Sequence, residues 1–263
     1  MPVAISSKLR SLLTPSTRTV VFTGAGISAE SGVPTFRGQN GLWKRFRVED
    51  LATPEAFEAN PQRVWEWYCW RRELVSRLNP NPGHLAVAQF ERSVSNFCLI
   101  TQNVDGLHDR AGNRRILKLH GDIWEVRCLA CHQTRVNLEV PLLFPPRCHC
   151  GGMLRPAVVW FGEMLPVGIF QQAVREAESC QLFFSVGTSA EVYPAAQLPA
   201  VAGRRGAYVV EVNIERSAAA EAADEVLLGK AGEILPELQA RLQKAKVDER
   251  ERMRLEDGPS LKL

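Results

Sequence analysis

Val20-Val21-Phe22-Thr23 runs directly into Gly24-Ala25-Gly26-Ile27-Ser28-Ala29, and few short segments restrict a fold as much. A β-branched apolar run predicts a buried strand. Glycines placed straight after it let the backbone turn tightly and approach an anion, and the short helical pattern beyond them aims N–H groups at the same spot. The spacing Gly24-x-Gly26-x-x-Ala29 fits the dinucleotide fingerprint with alanine in its last slot. Taken alone it fits an ordinary tight turn equally well. The continuation Pro34-Thr35-Phe36-Arg37 is not the usual one.

Four more apolar runs have the look of buried strands, at Phe97–Thr101, Leu182–Val186, 207–212 and Glu225–Leu228. Helical patterns lie among them at Pro82–Ser93, Val167–Ser179, 194–204 and 233–244. This alternation predicts an α/β fold with a doubly wound parallel sheet. Most runs end in a polar or Gly-rich turn: Thr23-Gly24, Thr101-Gln102-Asn103, Gly187-Thr188-Ser189 and Asn213-Ile214-Glu215. Open α/β sheets bind ligands beyond the carboxyl ends of their strands, so these turns are expected to converge on one crevice. Residues 38–79 interrupt the alternation as a helical insertion, and 124–155 hold four cysteines with little periodicity.

The 263 residues allow one large domain with small insertions. A net charge of +3 makes no case for direct nucleic-acid binding. No apolar run is long enough to span a bilayer, and the first residues lack the basic and then apolar order of a secretory signal. Seven cysteines, four of them clustered, argue for a metal site in a reducing compartment, so a cytoplasmic protein is expected. Cys69, Cys98 and Cys180 read as small buried hydrophobes.

The clustered four are Cys128-Leu-Ala-Cys131 and Cys148-His-Cys150. Two thiolate pairs can close a tetrahedral Zn²⁺ site; with every position filled by protein, such a metal is structural. Cys128, Cys131, Cys148 and Cys150 are the favoured ligands, and His132 or His149 could replace one of them. A nucleic-acid-binding ribbon would need a basic, aromatic surface, and only Arg127, Arg135 and Arg147 are near in sequence.

Thr101-Gln102-Asn103-Val104-Asp105 puts amide and carboxylate side chains just past a predicted strand, where they can grip an amide such as nicotinamide. Lys118-Leu119-His120-Gly121 sets a histidine beside a glycine, and histidine suits general-base work near neutral pH. Spacing alone does not choose among His120, His108 and His84.

In this order, Gly24-Ala25-Gly26-Ile27-Ser28, Thr101-Gln102-Asn103-Val104-Asp105, His120-Gly121, the two cysteine pairs, Val159-Trp160-Phe161-Gly162-Glu163, Gly187-Thr188-Ser189 and Asn213-Ile214-Glu215 closely resemble the sirtuins, the NAD-dependent protein-lysine deacylases. The resemblance covers about residues 19–235. It implies a Rossmann-like domain assembled from 1–37, 80–123 and 156–245, a helical module at 38–79, a zinc module at 124–155 and a charged tail at 246–263. It also implies that NAD+ is consumed as a co-substrate. Nicotinamide leaves, His120 acts as the catalytic base on a ribose hydroxyl, and the acyl group passes from lysine to ADP-ribose. Gly24, Ala25, Gly26, Ile27 and Ser28 would line the phosphates, with Phe36, Arg37 and Trp43 on a closing loop. Gln102, Asn103, Val104 and Asp105 would serve the nicotinamide and its ribose. Gly187, Thr188, Ser189, Asn213, Ile214, Glu215 and Ala231 would hold the phosphate and adenosine side. A dehydrogenase would carry an acidic residue after its second strand, whereas Glu49-Asp50 falls inside the helical insertion. The substrate peptide is expected to add as a strand, against Val159, Phe161, Gly162 and Glu163 on one side and Tyr193 on the other.

The insertion carries an acyl signal. Asn60-Pro61 predicts a helix start, and the helix should run to about residue 78. Val64, Tyr68, Arg71, Val75 and Leu78 fall on one face, where Arg71 is out of place among apolar neighbours. A guanidinium three residues from a phenol can receive a carboxylate; the bland reading is an arginine whose stem packs while its head reaches water. Tyr68-x-x-Arg71 resembles the pair marking the desuccinylase and demalonylase branch, and Ala52 matches its small residue that makes room for a longer acyl chain. The expected partners are acyl-lysine proteins or peptides, without nucleic acid or membrane, bound by a monomer. An ADP-ribosyltransferase and a non-catalytic NAD or ADP-ribose sensor are the rival readings.

Overall fold

A computed structural model describes residues 3–36, 41–42, 47–142 and 145–256. The strands among them are β1 (Thr19–Thr23), β2 (Phe97–Thr101), β3 (Ile116–Lys118), β4 (Gly121–Cys128), β5 (Thr134–Val136), β6 (Leu154–Val158), β7 (Leu182–Val186), β8 (Tyr208–Asn213) and β9 (Glu225–Leu228). Six of them form one sheet in the order β3-β2-β1-β7-β8-β9, parallel throughout. This is the doubly wound order. The chain works outward from β1 to β3, then returns to the other side of β1, so the switch point lies between β1 and β7.

Every residue of β1, β2 and β7 is buried. Successive side chains point to opposite faces. Val21, Leu99 and Phe184 enter the core beneath helices Pro82–Ser93 and Ala231–Glu256, while Val20, Phe22, Ile100 and Phe183 enter the core beneath Val167–Ser179 and Leu198–Arg204. Helices on both faces explain why these strands read as continuous apolar runs.

Two predicted helices have other bounds. The 194–204 segment is a short 3-10 turn, Ala195–Gln197, followed by helix Leu198–Arg204, with Pro199 in the first turn, where its missing N–H costs nothing. The last helix spans Ala231–Glu256, because its Lys-, Arg- and Glu-rich continuation has good helix propensity. Helix Ser7–Leu12 and the three-residue β3 are too short to announce themselves.

Residues 124–155 do contain regular structure: β5-β4-β6 make an antiparallel sheet that also takes in 121–123 and 156–158. All of β5 is exposed, so it has no apolar alternation to read. The helical insertion holds Val48–Leu51, Pro54–Ala59 and Pro61–Ser76. Asn60 caps the last of these by accepting from the Arg63 N–H at 3.0 Å. This helix shares a core with the small sheet, where the Trp65 indole N–H donates to the Leu154 carbonyl at 2.9 Å. No helix among the described residues is long and apolar enough to cross a membrane.

Candidate active site

A cleft of about 1130 Å³ opens along the carboxyl ends of the large sheet and continues between it and the helical module. Pockets for one drug-sized molecule span roughly 300–1,000 Å³, so this cleft has room for a dinucleotide and part of a peptide. Its floor is made by the predicted turns, with Gly24, Gln102, Gly187 and Asn213 each coming from a different strand end.

These loops interlock. The Gly26 N–H donates to the Gly187 carbonyl at 2.7 Å, and the Gly24 N–H to the Val186 carbonyl at 3.0 Å. A Cβ on Gly26 would lie 2.7 Å from the Gly187 Cα, and one on Gly187 2.5 Å from the Ile27 nitrogen. Only glycine permits two backbones at this switch point to approach so closely. The Asn103 amide donates to the Gly24 carbonyl at 3.0 Å, that of Gln102 to the Thr188 hydroxyl at 2.9 Å, and that of Asn213 to the Thr188 carbonyl at 3.1 Å.

Most of the expected residues line this cleft. On the cofactor side they include Ala25, Val104, Ser189, Ile214, Glu215 and Ala231, and on the other side Phe36, Ala52, Val159, Phe161, Gly162 and Tyr193. Three expected cofactor contacts do not. The Ile27 side chain is fully buried in the core with Val21 and Leu99. Ser28 and Asp105 lie behind the wall, where the serine hydroxyl donates to the Asp105 carboxylate at 2.8 Å and the Leu107 N–H donates to its other oxygen at 2.8 Å. They brace Asn103, whose amide also reaches the Ser28 oxygen at 3.2 Å. Arg37 and Trp43 lie outside the described residues. Residues 159–163 form a turn beyond β6 rather than a strand. Both Glu163 oxygens are occupied by Arg155, and one also accepts from the Trp160 N–H at 2.8 Å, so this carboxylate holds the turn.

The three candidate histidines separate by position. His84 and His108 are buried with ring centroids 4.8 Å apart, touching Ser28 and Thr23. His120 lines the cleft. Gly121 carries φ of +78°, and any side chain there would collide with the Ala157 carbonyl, so glycine lets the chain turn into β4 directly behind His120. The His120 Nδ1 lies 2.9 Å from the Gln102 carbonyl. A carbonyl only accepts, so Nδ1 carries the proton and Nε2 keeps its lone pair. Burial lowers the His120 pKa, against the upward pull of that carbonyl, so the ring is neutral at pH 7.

The buried pair has a consequence for stability. Burial pulls His84 down to about 4, and burial followed by His84 itself holds His108 well below 6.5. Above about pH 6.5 both are neutral in either state, so they add no pH dependence. Below it the unfolded chain binds protons that the folded chain refuses, and stability falls by roughly 1.4 kcal/mol per pH unit for each group at full slope. The urea midpoint should therefore drop between pH 7 and pH 5.5; a flat midpoint would contradict the neutral pair.

In the small sheet the Sγ atoms of Cys128, Cys131, Cys148 and Cys150 all lie within 4.8 Å of one another. Cys128 to Cys150 is 3.5 Å and Cys131 to Cys148 is 3.7 Å. Tetrahedral Zn–S bonds of about 2.3 Å require sulfur separations of roughly 3.8 Å, so the four fit zinc without rearrangement. The backbone N–H groups of Cys131 and Ala130 face the Cys128 sulfur and favour its thiolate, drawing it down to about 6. We expect Cys148→Ser to lose the metal by elemental analysis and to lower Tm by about 4–8 °C, as removal of roughly 2 kcal/mol would in a domain of this size. A zinc-free variant with unchanged Tm would count against a structural role.

The end of the cleft nearest the helical module is built on helix Pro61–Ser76. Arg71 is 5% exposed and lines the cleft. Its guanidinium carbon sits 4.8 Å from the Phe36 ring centroid, 4.9 Å from Trp67 and 6.0 Å from Tyr68. Among the described residues it donates no hydrogen bond and meets no carboxylate within ion-pair distance. Burial lowers its pKa, with Tyr68 and Asp105 pulling the other way. Trp67 and Trp160 also line this end and are absent from the expected set. Trp67 falls on the same stripe, three residues after Val64 and four before Arg71, so helical spacing was the signal that could have found it, and Trp160 was visible only inside the Val159–Trp160–Phe161 motif. Arg216 and Lys230, next in the chain to Glu215 and Ala231, also line the cleft and carry no spacing signal.

A model of the Sir2 family matches residues 24–194, from the first glycine of the phosphate turn to the proline after Tyr193. The chain belongs to the Sir2 family. It is 54% identical to an NAD-dependent protein deacylase of Aquifex aeolicus over 78% of this chain and 87% of that one. It superimposes with a TM-score of 0.86 on a Sir2 homologue in complex with NAD, at 46% identity and covering 93% of this chain and 96% of that one. A more distant Sir2 structure holds a deacetylated p53 peptide and 3'-O-acetyl ADP-ribose, with a TM-score of 0.78, 31% identity and coverage of 89% and 96%. The cleft of this Sir2 chain therefore has the fold and chain coverage of proteins that bind NAD and its acylated product.

Proposed function

We propose that this Sir2 chain is an NAD-dependent protein-lysine deacylase that prefers acyl groups ending in a carboxylate, succinyl and malonyl, and also removes acetyl. The observation that carries the reaction is the single cleft in which His120, with its free Nε2, faces the interlocked turns of β1, β2, β7 and β8. NAD+ is the co-substrate: its nicotinamide leaves and its ADP-ribose takes the acyl group, as the product in the related peptide complex suggests. In this reading the Gly24–Gly26 and Gly187–Ser189 turns receive the phosphates, Asn213 and Glu215 the adenosine, and Gln102 and Asn103 the nicotinamide half. His120 takes the proton of a ribose hydroxyl. Four thiolates hold one structural Zn²⁺.

The acyl preference rests on Arg71. A charge taken out of water costs several kcal/mol unless it is paired, and among the described residues this guanidinium has aromatic rings packed around it and no ion-pair partner. A substrate carboxylate arriving through the cleft supplies the missing partner, beside the Tyr68 hydroxyl. The working unit is a monomer acting in the cytoplasm on acyl-lysine proteins, without nucleic acid. Incubation with NAD+ and a panel of acyl-lysine peptides, followed by mass spectrometry, should reveal O-acyl-ADP-ribose, most rapidly from succinyl and malonyl peptides. Nicotinamide release that does not depend on an acyl peptide would favour ADP-ribosyl transfer instead.

A further inference from the structure

Trp160 follows β6, is 3% exposed, and has its ring packed by two neighbours. The Arg155 guanidinium carbon lies 3.4 Å from its ring centroid, and the Phe57 ring packs at 5.2 Å. Arg155 is itself locked by Glu163, at 2.6 and 2.9 Å to the two carboxylate oxygens, and by the Val158 carbonyl at 3.0 Å. Held this way, the indole directs its one polar group, Nε1–H, to the Tyr68 oxygen at 3.0 Å.

Indole nitrogen only donates, so the Tyr68 oxygen accepts in this bond and its own proton is left to donate elsewhere. Among the described residues no acceptor takes that proton. Tyr68 is 3% exposed and lines the cleft three residues before Arg71. Burial raises the phenol to about 12, so the proton is present at any working pH. A hydroxyl that accepts a hydrogen bond is also polarised into a stronger donor.

We propose that Trp160 is a positioning residue for acyl recognition: its indole N–H pins the Tyr68 oxygen as an acceptor and so commits the phenolic proton to the carboxylate that Arg71 receives. The inference rests on the reading of Tyr68 and Arg71 as a carboxylate receptor. It gives the Arg155–Glu163 pair a purpose as well, because that pair holds the indole plane.

Trp160→Phe keeps an aromatic ring between Arg155 and Phe57 and removes the N–H. Measured on succinyl- and acetyl-lysine peptides, it should lower the succinyl-to-acetyl ratio of kcat/KM by about fivefold, through succinyl KM rather than kcat, the effect of one ordinary hydrogen bond. In a Tyr68→Phe background the same change should lower that ratio no further. Equal losses on both peptides, or losses that multiply in the double variant, overturn the inference. A second measurement needs no Trp160 variant. In protein carrying 15N-tryptophan, Tyr68→Phe should move one indole N–H resonance upfield, and unmoved resonances overturn the inference. A wild type whose succinyl activity ignores Arg71→Met overturns the receptor reading and this inference with it. Dependence on Arg71 combined with indifference to Trp160→Phe overturns this inference alone.

Discussion

Replacing His120 with alanine is expected to reduce kcat on every acyl-lysine peptide by about 10²–10⁴, the usual contribution of a positioned general base. The reason is the proton inventory of the ring. Nδ1–H is committed to the Gln102 carbonyl, so the imidazole is held in one tautomer with Nε2 available to the cleft. Alanine removes the contact with the Gln102 carbonyl but leaves the hydrogen bonds that interlock the turns, Gly26 to Gly187, Gly24 to Val186, Gln102 to Thr188 and Asn103 to Gly24. Tight NAD+ binding should therefore survive in calorimetry while turnover collapses. The pH profile gives an independent check. Burial lowers the His120 pKa below 6.5, and a base must be neutral to act, so the acid limb of kcat/KM, which reports the free enzyme, should lie below pH 6.5 in the wild type. Turnover within tenfold of wild type in the alanine variant would remove His120 from the mechanism.

Arg71→Met should cut kcat/KM for succinyl-lysine peptides by about 10- to 100-fold, since hydrogen bonds to a charged group contribute roughly 1.5–3 kcal/mol. Methionine matches the arginine stem in length and lets Phe36, Trp67 and Tyr68 keep an apolar contact. The protein should not lose stability. Among the described residues the guanidinium has no ion-pair partner, and replacing a buried unpaired charge by an apolar group of similar volume is neutral or stabilising. Recognition and folding thus move in different directions, and a thermal melt beside the kinetics tells them apart. If the variant keeps full desuccinylase activity, the carboxylate receptor is wrong, whatever its Tm.

Both residues were visible in the sequence, for different reasons. Arg71 stood out because it broke an apolar stripe at helical spacing, a local signal. His120 was one of three histidines with equal claim. What separates it from His84 and His108 is that their rings are buried while its ring lines the cleft, and that emerges only when the strands assemble.

The turns at Gly24, Gln102, Gly187 and Asn213 were legible because each follows a strand that is buried on both faces, and such strands are unbroken apolar runs. Their pairing was not: that Gly26 and Gly187 touch follows from the reversal of strand order between β1 and β7, which no local pattern encodes. The small antiparallel sheet was hidden for a complementary reason. Its exposed strand Thr134–Val136 has no core face, and its order is tied to a sulfur cluster whose two halves lie 17 to 22 residues apart. Ile27, Ser28 and Asp105 belong to the motifs but lie off the cleft surface, because a motif specifies neighbours in the chain, whereas burial decides which neighbour faces the cleft.

By itself, then, the sequence determined what depends on near neighbours: the strands and helices, the glycine turns, the thiolate pairs and the Tyr68-Arg71 spacing. The tertiary structure alone decided what depends on distant ones. It left Nε2 of His120 free, turned Ser28 and Asp105 into braces, and set Trp160 against Tyr68. The physical reason is range. Propensity and periodicity act within a turn or two of chain, while hydrogen-bond satisfaction and burial are settled between residues that the fold brings together from far apart, as Tyr68 and Trp160 are, 92 positions from each other.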